Sequence, residues 1–218
     1  MNQVQDRARV PVAKEGWPFI LAPALLALLL AVAGCLWGGL IFFGLACGTT
    51  FFFRDPERTF SAEQGAVVSP ADGKIVFLGQ VEASPLGGGP AVKVSIFMNI
   101  CDVHVHRSPA GGQVVDLKYV PGQFFNASLD KASEKNERLH LALQTEEGTK
   151  MEVVQIAGLI ARRIVCWVRP GDRLEAGERL GMIRFGSRVD LYLPLEIQLW
   201  VGHGQRVKAG QSLIGKLS

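Results

Sequence analysis

Three clusters in this 218-residue chain hold residue types that do covalent or acid–base chemistry. The first is Arg184-Phe185-Gly186-Ser187-Arg188-Val189-Asp190. A serine hydroxyl after a glycine can be brought against the preceding carbonyl, because glycine lets the main chain bend far enough. Attack there turns the amide into an ester, elimination leaves dehydroalanine, and hydrolysis gives a pyruvoyl group and ammonia. As a dipeptide alone, Gly186-Ser187 reads as a turn between the strand-like runs 181–185 and 189–193. The second cluster is Asp102-Val103-His104-Val105-His106-Arg107-Ser108-Pro109. In an extended chain, alternation puts His104 and His106 on one face. Such a pair reads as hydrogen-bonded surface histidines, as two ligands of a zinc ion, or as acid–base groups near Ser187 with a carboxylate to orient one ring. Asp72, in Ser69-Pro70-Ala71-Asp72-Gly73, is the candidate carboxylate; its ordinary reading is a turn residue capping its own backbone. The third cluster, Asn136-Glu137-Arg138, follows an aromatic loop, Gly122-Gln123-Phe124-Phe125-Asn126.

These residues need a rigid frame, and the pattern predicts a β frame. From Gly65 onward, short apolar runs bounded by Gly and Pro read as strands: 67–68, 74–78, 91–97, 113–117, 139–144, 151–156 and 164–168. Thr145-Glu146-Glu147-Gly148-Thr149 reads as a hairpin turn, and 127–138 as a loop with a helical turn. Two repeats recur. Residues 69–76 resemble 108–115, and 171–178 resemble 204–211, each a turn followed by a strand. Many short strands without alternating helices predict an all-β domain of barrel or sandwich type, and the repeats resemble the Gly-x-x-Val/Leu-x-Ala-Gly units of barrel-sandwich folds.

Hydrophobic residues make up 48% of the chain, and the mean hydropathy is +0.22. The excess is local, since no charged residue occurs from Trp17 to Phe53. One helix over that run would be roughly 55 Å long, against a hydrocarbon core of about 30 Å. Two helices, 17–33 and 40–53, with a reversal near Gly34 and Gly38-Gly39, are the first expectation; one tilted span is the second. The run is apolar on every face, which favours a membrane over a protein core. Arg7, Arg9 and Lys14 precede it, and Arg54 and Arg58 follow it, which predicts that both ends stay cytoplasmic. A net charge of +3 without basic–aromatic runs argues against nucleic acid. The four cysteines form no CxxC pair and read as buried reduced thiols.

In combination, Pro-Ala-Asp-Gly, Asp-Val-His-Val-His, Asn-Glu-Arg and Phe-Gly-Ser-Arg resemble the phosphatidylserine decarboxylases of the short bacterial type, over residues 51–218. The resemblance implies a precursor that cuts itself at Gly186-Ser187 into chains 1–186 and 187–218, with Ser187 becoming a covalent pyruvoyl cofactor. It implies His104 as base, Asp72 as its orienting partner and His106 as a second acid–base or substrate-binding residue. It further implies substrate contacts from Phe124, Phe125, Asn136, Arg138 and Arg188, no metal, and phosphatidylserine in the cytoplasmic membrane as partner. A homodimer belongs to the same expectation. The domain organisation that follows is a tail (1–16), a membrane segment (17–53), a linker (54–64) and a catalytic domain (65–218). The rival reading is a membrane-anchored zinc peptidase or amidase with His104 and His106 as ligands and Asp72 or His140 as the third. A non-catalytic carrier or adaptor domain is a further rival.

Overall fold

The computed structural model describes residues 11–59, 65–85, 87–125, 135–158, 163–184 and 187–217. The chain divides into two compact units, Met1–Glu57 and Arg58–Ser218.

In the first unit, helix α1 (Trp17–Val32) follows a 3-10 turn, and helix α2 (Leu36–Phe52) returns antiparallel to it. The hairpin is closed at its open end: Ala13 N–H donates to Phe53 O at 2.8 Å, Asp55 N–H donates to Pro11 O at 2.7 Å, and Phe19 stacks on Phe53. The second helix starts at Leu36, four residues before the expected start, because Gly38 and Gly39 lie inside it. A Cβ at Gly39 would sit 3.2 Å from Ala27 O and 3.5 Å from Ala31 Cβ. Glycine here lets the two helices approach, as small residues do in apolar helix pairs. Leu25, Leu28, Val32, Trp37 and Ile41 are all exposed, so the pair presents a continuous apolar surface. The stretch Lys14–Val32 is long and apolar enough to cross a membrane.

The second unit is β-built. Its strands are β1 (Ala66–Val68), β2 (Gly73–Val81), β3 (Ala91–Met98), β4 (Val105–Arg107), β5 (Gly112–Val120), β6 (Arg138–Gln144) and β7 (Lys150–Ala157). They continue with β8 (Ile164–Cys166), β9 (Arg173–Leu174), β10 (Arg179–Ile183), β11 (Ser187–Leu193), β12 (Gln198–Leu199), β13 (Arg206–Val207) and β14 (Leu213–Lys216). An eight-stranded antiparallel sheet has the order β13-β2-β3-β11-β7-β6-β5-β9, and two small sheets, β1-β14-β12 and β4-β10-β8, complete the unit. The all-β expectation therefore holds. The large sheet curls over a core in which one face of each strand is buried: Ile75, Val94, Ile96, Leu141, Val153, Val189 and Leu191 are all below 2% exposed. Alternate residues on these strands point to the opposite face.

The sequence repeats have a structural meaning. Val68 N–H donates to Pro109 O, and Arg107 N–H donates to Pro70 O. Gly210 N–H bonds Ser69 O, and Gly177 N–H bonds Ser108 O. Ser69 Oγ donates to Ala71 O, and Ser108 Oγ to Ala110 O. Strand β13 pairs with β2 as β9 pairs with β5, and both β2 and β5 bulge one turn into the strand, at Val76 and Val115. The unit thus has two matching halves, each with a Ser-Pro turn, a bulged strand and a Gly-rich hairpin. They meet where Gly177 and Gly210 nearly touch, both with positive φ.

Gly73, at the start of β2, is where this frame is tightest. Its φ is +146°, and a Cβ would lie 2.1 Å from Phe97 O. Gly73→Ala should cost about 1–3 kcal/mol from backbone strain alone, with the clash adding to it. A lowered thermal midpoint of the purified full chain checks this, and an unchanged midpoint would contradict it.

Candidate active site

One end of the large sheet gathers the clusters singled out from the sequence. Antiparallel register sets Lys74 opposite Phe97, Met98 opposite Ser187, Ser187 opposite Ala157, and Ile156 opposite Arg138. The Asp72 turn, the 99–104 loop, Ser187 and the Asn136 segment therefore all sit at the same strand ends. The 121–125 loop joins them, because β5 ends at Val120, opposite Arg138. Phe185 and Gly186 lie outside the described residues, as do 126–134.

Ser187 is fully buried and is the first residue of β11, hydrogen-bonded as strand on both sides rather than forming the bend that its glycine neighbour suggests. It shares the inner face with Met98, Ala157 and Gln155, since residues paired directly across an antiparallel ladder point the same way. Among the described residues its Oγ meets Met98 Sδ at 3.8 Å, a weak acceptor that leaves the hydroxyl free to turn toward a better partner.

His104 and His106 are both fully buried. His104 Nδ1 lies 2.9 Å from the Asp102 carbonyl. A carbonyl only accepts, so Nδ1 carries a proton, which in the neutral ring leaves the lone pair on Nε2. The tautomer is thus fixed by main chain, not by Asp72. His106 Nδ1 takes a hydrogen bond from Gln155 Nε2 at 2.7 Å, and Gln155 stands two residues from Ala157 on the Ser187 face. Burial, with His104 beside it, pushes the His106 imidazole down to about 3, so it is neutral at physiological pH.

Asp72 is held elsewhere than expected. Arg58 NH1 and NH2 grip its two oxygens at 2.6 and 2.8 Å, and Ala209 N–H donates to Oδ1 at 2.7 Å. Bidentate pairing of this kind fixes geometry as well as charge. Pro70, in the same turn, accepts from Arg107 N–H at 2.9 Å, so the clamped turn braces the strand that carries His106. The Arg58 side chain itself comes from the stretch read as a linker.

Arg188 and Arg138 stand on the other face of the sheet. Arg188 is 1% exposed; its Nε donates to Asp190 at 2.6 Å and its NH2 to Ser95 Oγ at 2.8 Å, while Lys93 pairs with Asp190 at 3.0 Å. Arg138 donates to His140 Nε2 and to Asn136 O, both at 3.2 Å. Asn136, also fully buried, ties two other backbone segments to its own: its side chain bonds Phe125 N and O and Ala157 O. Phe124 packs with Ala157 and Ile183, while Phe125 is 42% exposed.

The zinc reading fails on donor geometry. Among the described residues no group of three or more His, Cys, Asp or Glu could hold a metal. His140 pairs with Glu152 on the face opposite His106. Sequence reasoning missed Gln155, Met98 and Arg58. Gln155 had one signal: it is polar at an inward position of an otherwise apolar strand.

The depressed His106 has a measurable consequence. Between about pH 3 and 6.5 the unfolded chain binds a proton there that the folded chain does not, so stability falls as pH drops through this window and is unaffected by this group above it. The thermal midpoint of the full chain should decline below about pH 6.5, and His106→Gln should flatten that decline. An equal decline in the variant would contradict the assignment.

Residues 46–215 match the family model described as phosphatidylserine decarboxylase. The chain is 46% identical to the phosphatidylserine decarboxylase proenzyme of Desulfotalea psychrophila, covering 96% of this chain and 98% of the relative. It is 47% identical to that of Symbiobacterium thermophilum, covering 98% and 99%, and 46% identical to that of Burkholderia ambifaria, covering 94% and 96%. With the buried serine, the histidine pair and the Pro-Ala-Asp-Gly turn gathered at one sheet end, and with similarity running over nearly the whole length, the chain belongs to the phosphatidylserine decarboxylase family.

Proposed function

We propose that the chain is a self-processing precursor that becomes a pyruvoyl-dependent enzyme, removing CO2 from phosphatidylserine to leave phosphatidylethanolamine. The observation that carries this reading is Ser187: a fully buried serine heading the strand between β3 and β7, on the face that also carries the His106 partner Gln155. The relatives' naming as proenzymes supports processing.

In this reading Ser187 Oγ attacks the Gly186 carbonyl, and its proton passes to His104 Nε2, the lone-pair nitrogen. The amide nitrogen takes a proton as the bond shifts from nitrogen to oxygen. Loss of the Cα proton of residue 187 then expels the Gly186 carboxylate, and water releases ammonia. His106, neutral through burial, is available for the second proton transfer without first losing a charge. Asp72 acts by bracing the histidine strand through its turn. Asn136 holds the Phe124–Phe125 backbone against Ala157, beside Ser187, so that Phe124 walls the substrate.

The site fits the group that the family implies. A carbonyl at position 187 would lie buried beside Met98 and Ala157, its strand fixed on both sides. Bound there, it would supply the electron sink that loss of CO2 requires. The chain's residues exclude water and return a proton to carbon, a task suited to His104. Basic residues flanking the helical pair, Lys14 before and Arg54 after, support placing the catalytic unit at the cytoplasmic face of a membrane.

Ser187→Ala should give one full-length, inactive chain, and normal decarboxylation by that variant would end the pyruvoyl reading. His104→Ala should slow self-cleavage by about 10²-fold or more; processing at the normal rate would move the base elsewhere. EDTA should leave the activity unchanged, whereas a loss restored by zinc would contradict the account.

A further inference from the structure

The two loops that flank Ser187 carry apolar side chains in water on backbones that buried polar groups hold still. One loop is the turn Asn99-Ile100-Cys101-Asp102. The carboxylate of Asp102, itself buried, accepts from Asn99 N–H at 2.9 Å; Asn99 Oδ1 accepts from Cys101 N–H at 2.8 Å; and Asp102 N–H donates to Asn99 O at 3.0 Å. Such a turn usually shows Gly, Asn, Asp, Ser or Pro at its tip. Here the tip is Ile100, 62% exposed, and Cys101, exposed rather than buried as its sequence context suggested. In the loop after β5, Phe125 is 42% exposed, and its N–H and carbonyl both bond the buried Asn136 side chain. Met98 and Ala157, from which these loops are anchored, lie on either side of Ser187, two strand spacings or about 10 Å apart. At the same sheet end Lys74 and Arg206 face each other across β2 and β13, both exposed, and Arg206 also touches Asp102.

We propose that Ile100 and Phe125 form a bilayer contact of the catalytic unit, separate from the apolar helices, which seats the Ser187 end of the sheet on the membrane that holds its substrate. This rests on the phosphatidylserine reading. A substrate with two acyl chains must reach a serine with no exposed surface, and the strand end where that serine lies is bordered by the exposed Ile100 and Phe125. These two apolar side chains enter the acyl–headgroup boundary, and the neighbouring cations meet anionic headgroups. Rigid backbones lower the ordering cost of docking.

The test uses the full chain reconstituted in vesicles of phosphatidylserine and phosphatidylcholine, compared with dihexanoyl-phosphatidylserine below its micellar concentration. Ile100→Asp should reduce turnover on vesicles tenfold or more, leave turnover of the monomeric lipid unchanged, and still cleave into two chains, which certifies its fold. Ile100→Phe should keep the vesicle rate. Should Ile100→Asp fail to process, Ile100→Asn takes its place under the same expectations. Equal vesicle rates in variant and parent overturn the proposal, as does an equal loss on both lipids, or a loss that tracks a change of oligomeric state in detergent. Failure of the parent chain on both lipids would instead overturn the phosphatidylserine reading.

Discussion

The site depends on the pairing of β11 between β3 and β7. Strand β11 supplies Ser187 and, on its two faces, both the core residues Val189 and Leu191 and the buried Arg188–Asp190 pair. A fully buried arginine inside a sheet is stabilised only while its carboxylate partner stays in place, since breaking such a pair leaves an uncompensated charge. The pair is tied to β3 through Ser95 and Lys93, so Ser187 is held by side chains on one face as well as by ladder hydrogen bonds on both edges. A cut before Ser187 would leave β11 to β14 in the smaller chain. Those four strands reach into the large sheet twice and into the β1-β14-β12 sheet twice, so the fold stays closed after the covalent link is lost.

The chemistry sits where the two halves of the unit stop matching. Asp72 corresponds to Gly111 by the 39-residue offset of the Ser-Pro repeat, and His104 and His106 correspond to Gly65 and Val67. One half thus brings a carboxylate turn and the other a histidine strand, and the hydrogen bond from Arg107 N–H to Pro70 O joins them. The equivalent place across the internal symmetry has Gly111 and Gly65 and no imidazole. The duplicated frame gives the rigidity, and in the proposed reading the three unmatched positions, Asp72, His104 and His106, would give the reactivity at Ser187.

The strands were legible as short apolar runs bounded by Gly and Pro, and the repeats were legible because equivalent turns need similar residues. The histidine pair stood out by type and spacing, and Ser187 by the combination of motifs that resembles the family. The partners of those residues did not. The group that fixes His104 is the carbonyl of Asp102, which carries no residue-type signature. Arg58 reaches Asp72 from a polar stretch with nothing to mark it, and Gln155 meets His106 only after two strands 49 positions apart are brought together. Arg188, expected at the substrate, is held inside the sheet, because its acceptors, Asp190 and Ser95, become neighbours only through alternation and cross-strand register. Local pattern records what a residue can do; long-range pairing decides which neighbour it does it with.

The most direct test of the central claim is the intact mass of the purified, denatured protein. The account predicts two chains, 1–186 and 187–218, with the smaller one lighter by one ammonia than a chain beginning with serine. A single uncut chain of 23.6 kDa in folded, active protein would contradict it.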